Sequence, residues 1–223
     1  IATLATNASE LAVALRPNTC VKVSEGSYNL TSFPAGATIV GSGENTVINA
    51  TSIITVNGAV NIENAHIAMS NDGYKGFQGG VDLNLKKCTI EGQPFLYGEK
   101  ATFEGCTFEQ TSASAYNVWT YGAKEVEFVN CVFNSAGKSV LIYTESGAGQ
   151  SVLFEGCTLN ASAPVDGKAA IEIDSSLISG LFDITINDTT ATGFANGNVS
   201  GNSLWNNKKG DQLTVIVDGT QVL

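Results

Sequence analysis

VEFVNCVF (126–133) decides the fold. Val126 and Phe128 share one face of an extended segment, Asn130 interrupts, and Cys131 and Phe133 share a face beyond it. Period-two alternation on both sides, with the phase slipped by one residue between, describes two short strands meeting at a tight bend. The pattern recurs as VNIENAHI (60–67), LNLKKCTI (83–90), ATFEGCTF (101–108), VLFEGCTL (152–159) and ITINDTTA (184–191). Successive copies lie 23, 18, 25, 26 and 32 residues apart, a repeat length that belongs to stacked coils. Ile62, Leu85, Phe103, Phe128, Phe154 and Ile186 fill one shared slot; Ala65, Cys88, Cys106, Cys131, Cys157 and Thr189 fill another. The bend holds Asn64, Lys87, Gly105, Asn130, Gly156 and Asp188, mostly residue types that tolerate a left-handed backbone.

A third strand is expected between copies, at FLYG (95–98), NVWTYG (117–122), SVLIYT (139–144) and AIEID (170–174). Three strands per coil give three parallel sheets around a narrow apolar core, and the connections are too short for helical crossovers. The expected fold is therefore all-β: a right-handed single-stranded parallel β-helix of three sheets and about seven coils. Residues 1–223 are read as one domain, with 1–16 as an N-terminal cap, 20–192 as stacked coils and 193–223 as a C-terminal cap carrying a final strand. Asn7 and Glu10 have capping-box spacing ahead of an apolar run that ends at Pro17, which predicts a short helix plugging the first coil. DQLTVIVDG (211–219) supplies the last alternating strand.

The helix, CVKVSEGSYNL (20–30) and ATIVGSGENTVI (37–48) together resemble the opening of parallel β-helix proteins of the pectate-lyase-like superfamily. The repeated V-x-F-x-N-C-x-F unit is similar to the second and third strands of those proteins, over about residues 1–192. In style the chain is most similar to non-catalytic β-helix modules of bacterial surface proteins, and SLWNNKKGDQLTVIVDG (203–219) adds to that likeness. The resemblance implies fold and an extracellular or cell-surface location. It transfers no catalytic set: lyases of the family use an Arg or Lys base with calcium-holding acids, and its polygalacturonase-like members use paired Asp. The chain's one Arg, Arg16, lies at the capping helix, Lys124, Lys138 and Lys168 lie in loops, and no Asp-Asp occurs.

Composition narrows the partners. A net charge of −10 argues against nucleic acid and against unaided binding of polyanions or anionic membranes. No apolar run reaches the roughly 20 residues that span a bilayer. Opening at Ile1 without an initiator Met or a signal peptide is expected of a processed protein or an excised domain. Five cysteines, four in register, are expected to be buried thiols rather than disulfides, and thiols stacked in a line do not make the tetrahedron zinc needs. No metal or other cofactor is implied. Six N-x-[ST] sequons, at Asn7, Asn29, Asn49, Asn160, Asn187 and Asn198, carry no glycosylation claim in a chain so rich in Asn, Ser and Thr.

Two candidate sites remain. With Val118, Thr120, Val140 and Ile142 pointing inward, alternation sends Phe95, Tyr97, Trp119, Tyr121 and Tyr143 outward as an aromatic row suited to sugar rings or a protein partner. A loop at 98–101 or 147–150 folding over the row would instead bury it. Glu172 and Asp174, flanked by inward Ile171 and Ile173, are expected to face solvent together, roughly 6.6 Å apart along one strand. That pair is the weaker, catalytic alternative, because inverting glycosidases space their carboxyls near this range. His66 is expected outward, with no nucleophile to serve. The sequence thus favours a non-catalytic surface adhesin, binding module or spacer that recognises a glycan or a cell-surface protein. The alternatives are a polysaccharide hydrolase or lyase of the same fold, and a trimeric phage tailspike segment.

Overall fold

The computed structural model of the chain describes residues 3–56, 58–79, 81–145, 147–196 and 202–223. Short strands pair in parallel from coil to coil, forming the three walls of a β-helix. The first wall runs through Cys20–Val23, Leu83–Lys86, Lys100–Glu104, Glu125–Val129, Gln150–Glu155, Phe182–Asn187 and Leu213–Val217. The second runs through Gly26–Asn29, Thr89–Glu91, Thr107–Glu109, Val132–Ser135, Thr158–Ala161 and Thr190–Thr192. Two longer strands, Thr38–Ala50 and Val60–Met69, turn the corner and belong to both walls. The third wall has two parts. Ser32–Phe33, Ile53–Val56 and Gly76–Gln78 form the first, and Val118–Trp119, Val140–Tyr143, Ile171–Asp174 and Trp205–Lys209 the second.

The expected bend residues all have positive φ: 54° at Asn64, 52° at Lys87, 62° at Gly105, 52° at Asn130, 64° at Gly156 and 47° at Asp188. At these six positions the chain leaves one wall and enters the next without a loop, in the left-handed conformation. Lys87 holds the same conformation at a Cβ cost that Gly105, one rung on, avoids.

Inside the bend the repeat slots stack in register. Leu85 opposes Phe103, Phe103 opposes Phe128, and Phe128 opposes Phe154 along the first wall. The Phe103–Phe128 rings stack at 5.2 Å and 18°, and the Phe128–Phe154 rings at 5.0 Å and 25°. On the second wall Phe108 and Phe133 stack at 4.6 Å and 6°. Cys88, Cys106, Cys131 and Cys157 are buried and unpaired, while Cys20 is exposed. Each buried thiol donates to the main-chain carbonyl of the preceding coil's shared slot: Cys88 to Ile62, Cys106 to Leu85, Cys131 to Phe103 and Cys157 to Phe128, at 3.3–3.4 Å. The column is therefore more than a filler, because each sulfur also ties its coil to a carbonyl of the coil before.

The stack extends beyond residues 20–192 at both ends. Thr3–Ala5, a strand the sequence did not announce, pairs in parallel with Cys20–Val23 ahead of the helix. The expected short helix spans Ala8–Ala14 and buries Leu11. Asn7 is its N-cap, accepting the Glu10 N–H at 2.9 Å, but Glu10 reaches back to the backbone N–H and hydroxyl of Thr6 rather than to Asn7. At the far end Leu213–Val217 forms the last parallel rung, and Thr220–Gln221 folds back on it antiparallel through a two-residue Asp218-Gly219 turn with φ of 47° and 81°. The sequon at Asn198 and part of the expected C-terminal cap, 197–201, lie outside the described residues. Among the described residues no helix is long and apolar enough to cross a membrane.

Candidate functional site: the outer face of the third wall

Val118, Thr120, Val140, Ile142, Ile171 and Ile173 are buried in the core of the third wall, so the residues between them face outward. Register then fixes two outward columns. Phe95 pairs with Trp119, Trp119 with Leu141, Leu141 with Glu172, and Glu172 with Asn206. Beside it Tyr143 pairs with Asp174. Polar groups pin this wall from inside: Thr120 donates from its hydroxyl to Gln150 at 2.7 Å, and the Gln150 amide donates to the Ala123 carbonyl.

The five aromatic side chains expected outward converge on one patch. Phe95 packs on Trp119 at 4.8 Å and stacks on Tyr121 at 4.6 Å and 20°. Tyr97 meets Tyr121 edge-on at 5.4 Å, Trp119 meets Tyr143 edge-on at 5.7 Å, and Tyr121 and Tyr143 lie 6.5 Å apart. Two further rings join them. Tyr116 abuts Trp119 at 6.1 Å, and Tyr74 meets Phe95 at 5.3 Å and Tyr121 at 5.8 Å.

The row is neither wholly open nor covered by either loop expected to cover it. The turn around Gly73 crosses Phe95 so closely that a Cβ on Gly73 would stand 2.1 Å from the ring. Phe95 is consequently buried at 8% exposure and serves as the floor, while Tyr74, at 57%, stands out as a wall. Trp119, Tyr97, Tyr121 and Tyr143 remain half-buried. No sequence signal places the Tyr74 turn here, because it comes from an earlier coil.

Electrostatics on the patch is one-sided. The Tyr143 hydroxyl donates to the Glu145 carboxylate, and the Tyr74 N–H donates to Asp72 Oδ1 at 3.1 Å. The Tyr143 phenol is pushed up to about 12, first by its bond to Glu145, then by burial and by the charges of Glu145 and Asp174. Burial raises Tyr121 and Tyr97 too; the bond to Tyr74 and the Glu145 charge add to Tyr121, and the Asp72 charge adds to Tyr97.

Glu172 and Asp174 do not form the solvated pair expected of them. They face away from the core but are only 1% and 7% exposed. Glu172 accepts the Ala169 N–H at 3.0 Å and the Asn206 amide at 3.3 Å, with the Lys168 ammonium 3.8 Å away. Burial raises its pKa, and the bonds from Asn206 and Ala169 oppose the rise. Asp174 accepts the N–H and hydroxyl of Ser176. Both carboxylates are thus occupied as caps for nearby backbone and side chains, an arrangement that holds the end of the wall together and offers no open pair to a glycosidic bond.

Two other features compete for attention. A groove of about 450 Å³ lies on the outer face of the first wall. Its polar groups satisfy one another: Thr102 donates to Asn84 at 2.9 Å, Asn84 to Asn61 at 3.0 Å, and Lys100 sits 3.4 Å from Glu127. His66, expected to be an ordinary surface residue, is clasped between Glu44 at 2.5 Å and Glu91 at 3.1 Å. Among the described residues no group of three or more His, Cys, Asp or Glu side chains is placed to hold a metal ion. No family model, curated protein or solved structure matches the chain, and its function has to be read from its own residues.

Proposed function

We propose that the protein is a non-catalytic extracellular β-helix module that binds a glycan on the outer face of its third wall, in the manner of a bacterial surface adhesin or binding domain. One observation carries this reading. Seven aromatic side chains from consecutive coils, Tyr74, Phe95, Tyr97, Tyr116, Trp119, Tyr121 and Tyr143, gather on the outer side of the wall, five of them at least partly exposed and Phe95 and Tyr116 buried among them. Partly exposed rings of this kind present flat apolar faces with polar tips, which suits pyranose rings. The resemblance to surface modules of the pectate-lyase-like superfamily supports the same reading, and the occupied carboxylates of Glu172 and Asp174 support binding over hydrolysis.

Retention of the native protein on a panel of immobilised polysaccharides tests it. Retention on at least one, lost in Tyr121→Ala with unchanged urea stability, is expected. Retention that survives this substitution would move the binding face elsewhere.

A further inference from the structure

The aromatic patch has a sign. Its faces are the negative lobes of ring quadrupoles, and a cation within about 6 Å of a Trp or Tyr ring centroid is attracted to them. Tyr121 and Tyr143, with centroids 6.5 Å apart and planes inclined by 35°, stand close enough for one cation to lie within that reach of both rings. Two exposed carboxylates lie beside this pair of rings: Glu145 takes the Tyr143 hydroxyl, and Asp72 anchors the turn that carries Tyr74. Asp174, the rung partner of Tyr143, is buried on Ser176 with Lys209 on its next rung and adds no open charge. Lys75 occupies the Tyr74 turn with its side chain exposed, one positive charge against the two exposed negative ones. Tyr116, at the far side of Trp119, already has a cation in place, with Lys138 5.7 Å from its centroid. The rest of the chain reinforces the bias, with a net charge of −10.

We propose that the ligand of this face is an amino-sugar glycan, whose protonated amines sit over the Tyr121–Tyr143 ring pair against Glu145 and Asp72 while its sugar rings lie on Trp119 and Tyr121. The inference rests on the reading of this face as a glycan-binding surface and adds the charge of the ligand. Charge complementarity selects the occupant: a polyuronate would meet the exposed carboxylates of Asp72 and Glu145, and a neutral glycan would leave them unused.

The test is a titration of the native protein, slightly below neutral pH and at low salt, with glucosamine oligomers, N-acetylglucosamine oligomers of equal length, and oligolysine. Glucosamine oligomers should bind about tenfold or more tightly than the acetylated series, a ratio that one cation–π contact with charge support provides. Asp72→Asn with Glu145→Gln, both exposed and both keeping their acceptor oxygens, should collapse that ratio toward one. It should leave the urea midpoint and any residual affinity for the acetylated oligomer unchanged. Equal affinity for the two oligomers overturns the inference but leaves the aromatic face standing as a glycan site. Oligolysine binding as tightly as the glucosamine oligomer overturns the choice of a sugar. Failure of both oligomers to bind, with a neutral polysaccharide retained elsewhere in the panel, overturns the charge assignment alone. Failure of every glycan overturns both readings.

Discussion

The thiol of Cys131 lies 3.4 Å from the carbonyl oxygen of Phe103, one coil back, and donates to it. Phe103 is itself the ring on which Phe128 stacks. One bend therefore joins packing and hydrogen bonding in the same two coils. Cys131→Ala removes the donor and a sulfur-sized volume, and should destabilise by about 1–3 kcal/mol in urea. In native protein the column should resist thiol reagents because all four sulfurs are buried. Burial pushes the Cys88 thiol up to about 12, and bonds to Cys106 and Cys157 raise Cys131. The same bonds to Cys131 lower Cys106 and Cys157, so exclusion from solvent protects those two. Only Cys20 should label quickly, and rapid labelling of all five would refute the buried column.

Lys87 and Asn130 occupy equivalent bends at φ 52°. Asn130→Val places a β-branched side chain in a left-handed conformation and should cost about 1–2 kcal/mol or more. Lys87→Gly relieves the Cβ at the same geometry and should be close to neutral or stabilising. A stability loss at Lys87→Gly as large as that of Asn130→Val would show that the bends are not under this steric rule.

His66 gives the fold a pH dependence of defined sign. Burial alone would lower its pKa, but the bonds and charges of Glu91 and Glu44 outweigh it and the net shift is upward from 6.5. A raised cation contributes stability that is fully present below the unfolded pKa and fades as pH rises through the folded one. Glu44 shifts the other way, lowered chiefly by the Thr89 hydroxyl and also by His66, so its contribution fades as pH falls through its folded pKa. Stability from this clasp should peak in the mildly acid range between them. Titration of the imidazole by NMR should give a midpoint above 6.5 that falls back in Glu44→Gln; a midpoint below 6.5 in the native protein would contradict the clasp.

Gly73 separates the two roles of the patch. Its φ is unexceptional, but a Cβ there meets the Phe95 ring at 2.1 Å. Gly73→Ala should therefore displace the Tyr74 turn, costing about 1–3 kcal/mol and weakening glycan retention. Glu172→Gln keeps the size and one of the two acceptor oxygens that Ala169 and Asn206 use, and should leave retention intact, because that side chain is buried in a cap. Loss of retention in Glu172→Gln with an unchanged urea midpoint would give the carboxylate a part in the site.

The coil, its bends and the outward phase of the third wall were legible because each is a local matter: alternation, a left-handed residue type, a repeated slot. Trp119 and Tyr121 point outward because Val118 and Thr120 point in, and nothing distant changes that. What stayed hidden depends on segments that meet only in space. Phe95 is covered by a turn from the preceding coil, and Glu172 is covered by Gly167–Ala169 and by Asn206 on the next rung. Alternation says which way a side chain leaves the backbone and is silent about what lies beyond it. Thr3–Ala5 was missed for a related reason, since a three-residue strand is made by its partner Cys20–Val23 rather than by its own pattern.

The central claim is that glycan sits on the aromatic face, and Trp119 reports on it directly. The second tryptophan, Trp205, is buried in the last coil. In a Trp205→Phe background, a glycan retained by the protein should change the emission of Trp119 saturably, with the same midpoint as binding measured by calorimetry. A glycan that binds by calorimetry while Trp119 emission stays flat would place the ligand off the third wall and contradict the account.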